Sequence, residues 1–133
     1  MRLYYVPVKE NIGFGNLDKI EDIKKIISSA QKSGASEFIS RLPRKYDTML
    51  GRIFDGGVEL SLGEWQKIAL ARAFMRDAQI LILDEPTASL DAKTEYEIFK
   101  QFQELTEGKI TILISHRFST VRMADGILVI EKG

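Results

Sequence analysis

The chain has no cysteine, which excludes disulfides, thiol nucleophiles and zinc–thiolate sites and fits a reducing compartment. Histidine is nearly absent too: His116 stands alone, so a multi-histidine metal cage is excluded. Neither sign of charge is in excess. Nineteen basic residues balance 19 acidic ones, leaving no bulk electrostatic footprint for nucleic acid or an anionic membrane. No apolar run approaches the roughly 20 residues that cross a bilayer, and the N-terminus lacks the pattern of a signal peptide. A membrane role would therefore need a spanning segment elsewhere. Internal repeats and low-complexity linkers are also missing. What is there is a 133-residue chain, 44% hydrophobic and 29% charged, the size of one modest globular domain or part of a larger one.

The most informative stretch is Ile80-Leu81-Ile82-Leu83-Asp84-Glu85-Pro86. Four aliphatic residues run without a polar break, end in two carboxylates and are stopped by proline. Such a run predicts a strand buried on both faces of a parallel sheet. Its carboxyl end then lies at the edge where α/β proteins bind ligands. Acids there are costly to leave bare, so they call for a metal, a proton or a basic partner. The plainer alternative is a solvated turn carrying two harmless charges.

Upstream, residues 1–8 alternate loosely and read as an edge strand or loop, and the glycines of Asn11-Ile12-Gly13-Phe14-Gly15 mark a turn. Asp18 and Glu21 have the spacing of a capping box, opening a helix that carries Ile20, Ile23, Ile26, Ile27 and Ala30 on one face and stops at Gly34. A short helix burying Phe38 and Ile39 follows. Residues 49–60, rich in glycine, read as a structured loop. Ser61 with Glu64 forms a second capping box, starting a helix with Trp65, Ile68, Ala69, Ala73 and Phe74 on its apolar face and an end near Arg76. After the strand, residues 92–105 are helical with Tyr96, Phe99, Phe102 and Leu105 together, and Gly108 ends them. A strand over 110–114, a short helix to Met123 and a strand over 127–130 complete the chain. From residue 79 on, the order strand, helix, strand, helix, strand predicts an α/β fold with a parallel sheet.

Three places carry candidate chemistry. One of the carboxylates Asp84 and Glu85 can hold magnesium, largely through water, while its neighbour orients or deprotonates an attacking water. His116, ending another strand, could donate to a phosphate oxygen, or could be structural. Leu60-Ser61-Leu62-Gly63-Glu64 offers a hydroxyl and free N–H groups at a helix N-terminus, which suits an anion and equally suits plain capping.

In order and spacing, Leu60 to Glu64, Ala71-Arg72-Ala73, residues 80–91 and His116 together resemble the ATP-binding cassette (ABC) ATPase family. Leu60 to Glu64 resembles its LSGGQ signature, Ile82-Leu83-Asp84-Glu85-Pro86-Thr87 its Walker B motif, Ser89-Leu90-Asp91 its D-loop and Ser115-His116-Arg117 its switch histidine. Lys9-Glu10-Asn11-Ile12-Gly13, Gly34-Ala35-Ser36-Glu37-Phe38-Ile39, and Leu42-Pro43 through Tyr46-Asp47-Thr48 resemble the exporter branch. The resemblance implies a P-loop NTPase fold in part: a helical subdomain over about 11–78, with the signature, then part of the α/β core over about 79–133. It implies ATP and Mg2+ as cofactors, Asp84 as the magnesium ligand, Glu85 as catalytic base and His116 as the γ-phosphate contact. Ser61, Leu62, Gly63 and Glu64 would face the ATP of a second nucleotide-binding domain in a head-to-tail dimer, and Asp91 would join that contact. A transmembrane domain would be the other partner, with no nucleic acid expected, and the location would be the cytoplasmic face of the cell membrane. The alternatives are a soluble ABC ATPase of nucleic-acid or ribosome function and a non-catalytic gene fragment.

Three departures qualify this expectation. No Gly-x-x-x-x-Gly-Lys-Ser/Thr phosphate cradle occurs; Gly108-Lys109 is followed by Ile110, so the chain reads as the C-terminal part of a nucleotide-binding domain and should not hydrolyse ATP alone. Leu62 stands where the family prefers glycine. Glu64 replaces a glutamine and adds negative charge beside the phosphates. With the strands that would pair with residues 80–83 missing from the chain, apolar sheet surface should lie open and solubility should be poor.

Overall fold

The computed structural model describes residues 5–52, 55–87 and 92–131. The first element is a helix, α1, Val8–Gly13, entered directly from Pro7. Val8, Asn11 and Ile12 are all buried at the i, i+3, i+4 spacing of one helical face, so the glycines of this stretch end a helix where a turn was predicted. Pro7 makes an isolated antiparallel bridge with Met49. The second helix, α2, Ile23–Lys32, starts later than the Asp18/Glu21 pair predicts. Its cap is Asp22, whose carboxylate accepts from the N–H of Lys25 at 3.1 Å, while Leu17–Lys19 form a 3-10 turn. The shift leaves Ile23 exposed and buries Ile26 and Ala30. Gly34, with φ of 69°, ends the helix in the left-handed conformation glycine takes without a Cβ clash. A short helix, α3, Ser36–Ile39, buries Phe38 and Ile39 as predicted.

The central helix is α4, Leu62–Met75. It was predicted to have one apolar face and in fact has two. Trp65, Ile68, Ala71 and Met75 join a core with α1, α2 and α3 that includes Ile12, Ile26 and Ile39. Leu70, flanked by Ala73 and Phe74, joins a second cluster with Ile98, Phe102 and Leu105. Each fully buried large side chain here contributes about 1.5–3 kcal/mol. A helix apolar nearly all round belongs inside a domain, and α4 is the layer the two clusters share.

The second cluster supports a two-stranded parallel sheet. Strand β1, Ile80–Asp84, pairs with β2, Ile110–Ile114, with Ile80 opposite Ile110 and Asp84 opposite Ile114. The crossover between them is α5, Ala92–Thr106, as parallel pairing requires. Its packed face is Ile98, Phe102 and Leu105; Tyr96, predicted to join them, is 62% exposed and lies against Lys100, whose ammonium is 4.9 Å from the ring centroid. A last short helix, α6, Phe118–Val121, follows β2. Residues 127–130, predicted as a third strand, are exposed and take no place in the sheet. A strand depends on a ladder partner for its backbone groups, and none of the described strands offers them one.

Both strands alternate in burial. Leu81 and Leu83 face the helices. Ile80, Ile82, Ile110, Ile112 and Ile114 are each at least half exposed on the opposite side. The strand is therefore covered on one face only, where burial on both was predicted, because no helix among the described residues reaches the isoleucine side. An open apolar face of this kind favours association or dye binding. The purified chain is expected to bind an apolar fluorophore and to sediment above monomer mass. A sharp cooperative melt with a monomeric profile would contradict that expectation.

Candidate functional site

At the carboxyl end of β1 the backbone turns sharply. Glu85 has φ of 45°, a left-handed conformation that costs a non-glycine residue about 1–2 kcal/mol. Its N–H donates to the carbonyl of Ile114 at 2.9 Å, so β2 supports the turn. Asp84 stays level with Ile114 in the ladder and is exposed. Two residues past Ile114 stands His116, whose Nδ1 lies 2.7 Å from Oε1 of Glu85. The imidazole is otherwise open, 81% exposed, while the Glu85 side chain is 35% exposed. The other oxygen of Glu85, Oε2, is shielded from solvent and has no hydrogen-bond partner. A shielded carboxylate oxygen without a donor is costly.

Behind this pair lies a second set of polar contacts. Arg117 Nη1 donates to the carbonyl of Thr87 at 3.0 Å and lies 3.1 Å from Glu95 Oε1. Thr87 and Ser119 donate their hydroxyls to the same oxygen, at 3.2 Å and 3.0 Å. The sequence names Thr87 and Arg117 only as members of their stretches, and Glu95 carries no signal in it beyond being an acid in the first turn of a helix.

Ser61 caps α4 as predicted. Glu64 N–H donates to Ser61 Oγ at 3.3 Å, and the hydroxyl and N–H of Ser61 both reach Glu64 Oε2 at 2.8 Å. The donors at this N-terminus are thus already turned toward an internal carboxylate. Leu62 is 46% exposed. Gly63 packs so near α5 that an added Cβ would lie 3.3 Å from Cγ2 of Thr94, and Lys67 pairs with Glu97 at 3.4 Å. No hydrogen bond or ion pair among the described residues joins Ser61, Leu62, Gly63 or Glu64 to the Glu85–His116 pair. Asp91 lies outside the described residues. No cluster of three acids or histidines suited to a metal occurs among the described residues, so a cation here would need a single carboxylate plus oxygens from a substrate and water. Asp84 meets that requirement for magnesium.

The far end of α4 is clamped as well. Arg72, predicted to lie off the apolar face, donates from Nε to the carbonyl of Asn11 and from Nη2 to its Oδ1, both at 2.8 Å. Gly15 fits against this contact so closely that an added Cβ would clash with the Arg72 carbonyl.

A parallel strand thus ends in adjacent acids, and a histidine just past the end of the next strand meets one of them. The family profile described as ABC transporter matches residues 5–88, and the chain belongs to that family. It is 45% identical over 130 residues to the subtilin transport ATP-binding protein SpaT of Bacillus subtilis, covering 98% of this chain and 21% of that protein. It is 44% identical over 131 residues to an ATP-dependent lipid A-core flippase of Syntrophus aciditrophicus, again covering 98% of this chain and 21% of the relative. A bacterial Atm1-family ABC exporter solved with ATP bound shares the fold, with a TM-score of 0.77 and 33% identity over 92% of this chain and 21% of the other. The chain thus spans about a fifth of the length of the relatives it matches. No helix among its described residues is long and apolar enough to cross a membrane.

Because the capping box satisfies two donors of α4, Ser61→Ala is expected to cost about 1 kcal/mol of stability. Chemical denaturation of the complete ATPase domain measures it; an unchanged midpoint would show that Glu64 holds the helix end without the hydroxyl.

Proposed function

We infer that this chain supplies the Walker B, signature and switch-histidine part of the ATPase domain of an ABC exporter. The 2.7 Å pairing of Glu85 with His116 at the carboxyl edge of a parallel sheet carries this reading. In it, Glu85 is the base that takes a proton from the attacking water at Oε2, while Oε1 holds the imidazole in place. His116, held at Nδ1 by Glu85, presents Nε2 to a γ-phosphate oxygen. Asp84 would hold Mg2+, which supplies neutralisation of phosphate charge when bound. Hydrolysis in such a site is positioning plus charge stabilisation of the phosphoryl group.

Residues 11–78 serve as the helical subdomain and residues 79–133 as part of the catalytic core. The two-sided packing of α4 supports that division. Ser61, Leu62, Gly63 and Glu64 face the ATP of a second nucleotide-binding domain in a head-to-tail dimer, a role in keeping with their lack of contact with Glu85 and His116. Asp91 joins the dimer contact. The missing phosphate cradle must come from outside the 133 residues, so hydrolysis requires the complete transporter. The domain would act at the cytoplasmic face of a membrane through a transmembrane domain.

In that complete transporter, Glu85→Gln is expected to lower turnover about 10²–10⁴-fold while sparing ATP affinity. Undiminished phosphate release would overturn the role of Glu85. Leu62 crowds the signature position, and Glu64 adds a charge that repels phosphate, so Leu62→Gly is expected to raise the ATPase rate. Equal rates would clear the leucine.

A further inference from the structure

The contacts behind Glu85 and His116 form one unit. A single oxygen of Glu95, on the first turn of α5, receives the Thr87 hydroxyl, the Ser119 hydroxyl and the Arg117 guanidinium. Thr87 Oγ1 also lies 3.3 Å from Thr120 Oγ1, and both threonines are buried. The Glu95 side chain is only 14% exposed and that of Arg117 31%, which sets this group apart from a solvated surface ion pair of negligible worth. Its placement is more telling than its strength. Thr87 stands two residues beyond Glu85, and Arg117 directly follows His116. Arg117 also donates to the Thr87 carbonyl, so the loop bearing Glu85 and the loop bearing His116 are tied twice, once directly and once through Glu95.

We propose that Glu95 is a positioning residue for hydrolysis: through Arg117 and Thr87 it holds the two loops at the separation that lets Glu85 and His116 share their hydrogen bond. This rests on the ATPase reading above. Glu95 itself touches neither partner of the pair. The Glu85–His116 contact is half open to solvent, and Glu85 sits in a strained backbone conformation, so the pair does not lock itself. The latch supplies the constraint from the shielded side. It also brackets in sequence the segment that contains Asp91, since Thr87 and Glu95 stand on either side of it.

The test uses the complete transporter and five variants, Arg117→Ala alone among them, with kcat, KM for ATP and the melting midpoint read on each. Glu95→Ala is expected to lower kcat roughly 10-fold or more, as loosened positioning does, with KM within about twofold. Glu95→Gln keeps the oxygen acceptor and is expected to stay within about threefold of the parent, a rescue that bulk destabilisation would not produce. Arg117→Ala combined with Glu95→Ala is expected to be no worse than either alone, because the two act as one unit. Glu85→Gln provides the reference. If Glu95→Ala turns over like the parent while Glu85→Gln is inactive, the latch is overturned and the ATPase reading stands. If Glu95→Ala and Glu95→Gln lose stability and ATP affinity together, Glu95 is only structural and the latch is overturned. If Glu85→Gln hydrolyses ATP fully, the assignment of Glu85 as base falls and the latch with it.

Discussion

The in-register parallel pairing of β1 with β2 is the constraint from which the site follows. Asp84 lies opposite Ile114, so the residues that leave the two strands emerge side by side at one edge of the sheet. The Glu85 amide is held by the Ile114 carbonyl, and the strained turn at Glu85 aims its carboxylate at His116. A shift of one residue would move every side chain to the other face of the sheet and part the pair. Parallel pairing also demands a crossover. That crossover, α5, delivers Glu95 to the same edge, where it meets Thr87 and Arg117.

Helix α4 does for the two hydrophobic clusters what the sheet does for the acids. One side packs on α1, α2 and α3, and the other on α5 and the sheet. Three polar ties fix its ends: Arg72 to Asn11 at one, Lys67 to Glu97 and the Ser61–Glu64 box at the other. A displacement of α1 would therefore reach the N-terminus of α4 through a rigid rod rather than through a flexible loop.

Membership of the ABC transporter family accounts for two features that look odd in an isolated chain. One is the row of exposed isoleucines on the open face of the sheet, a costly surface unless something covers it. The other is a pair of adjacent acids at a strand end with no Gly-x-x-x-x-Gly-Lys-Ser/Thr stretch in the chain. At the N-terminus of α4 the Glu64 carboxylate already occupies the N–H and hydroxyl of Ser61.

The elements were largely legible because local signals specify them. The capping box at Ser61, the left-handed glycine ending α2, the apolar runs of β1 and β2 and the family motifs around Asp84, Glu85 and His116 all stand in short stretches of sequence. The failures share a cause. The two-sided face of α4, the exposure of Tyr96, the late start of α2 and the lack of a strand over 127–130 depend on which neighbours are present, and periodicity does not report neighbours. Sequence by itself singled out the candidate residues Asp84, Glu85 and His116, since motif and spacing are properties of the chain. Only tertiary structure decided that Glu85 and His116 share a hydrogen bond, that Arg72 grips Asn11 and that Glu95 gathers Thr87, Ser119 and Arg117. Those contacts join residues 8 to 61 positions apart, and a separation along the chain becomes a distance in space only when the strands have paired and the helices have packed.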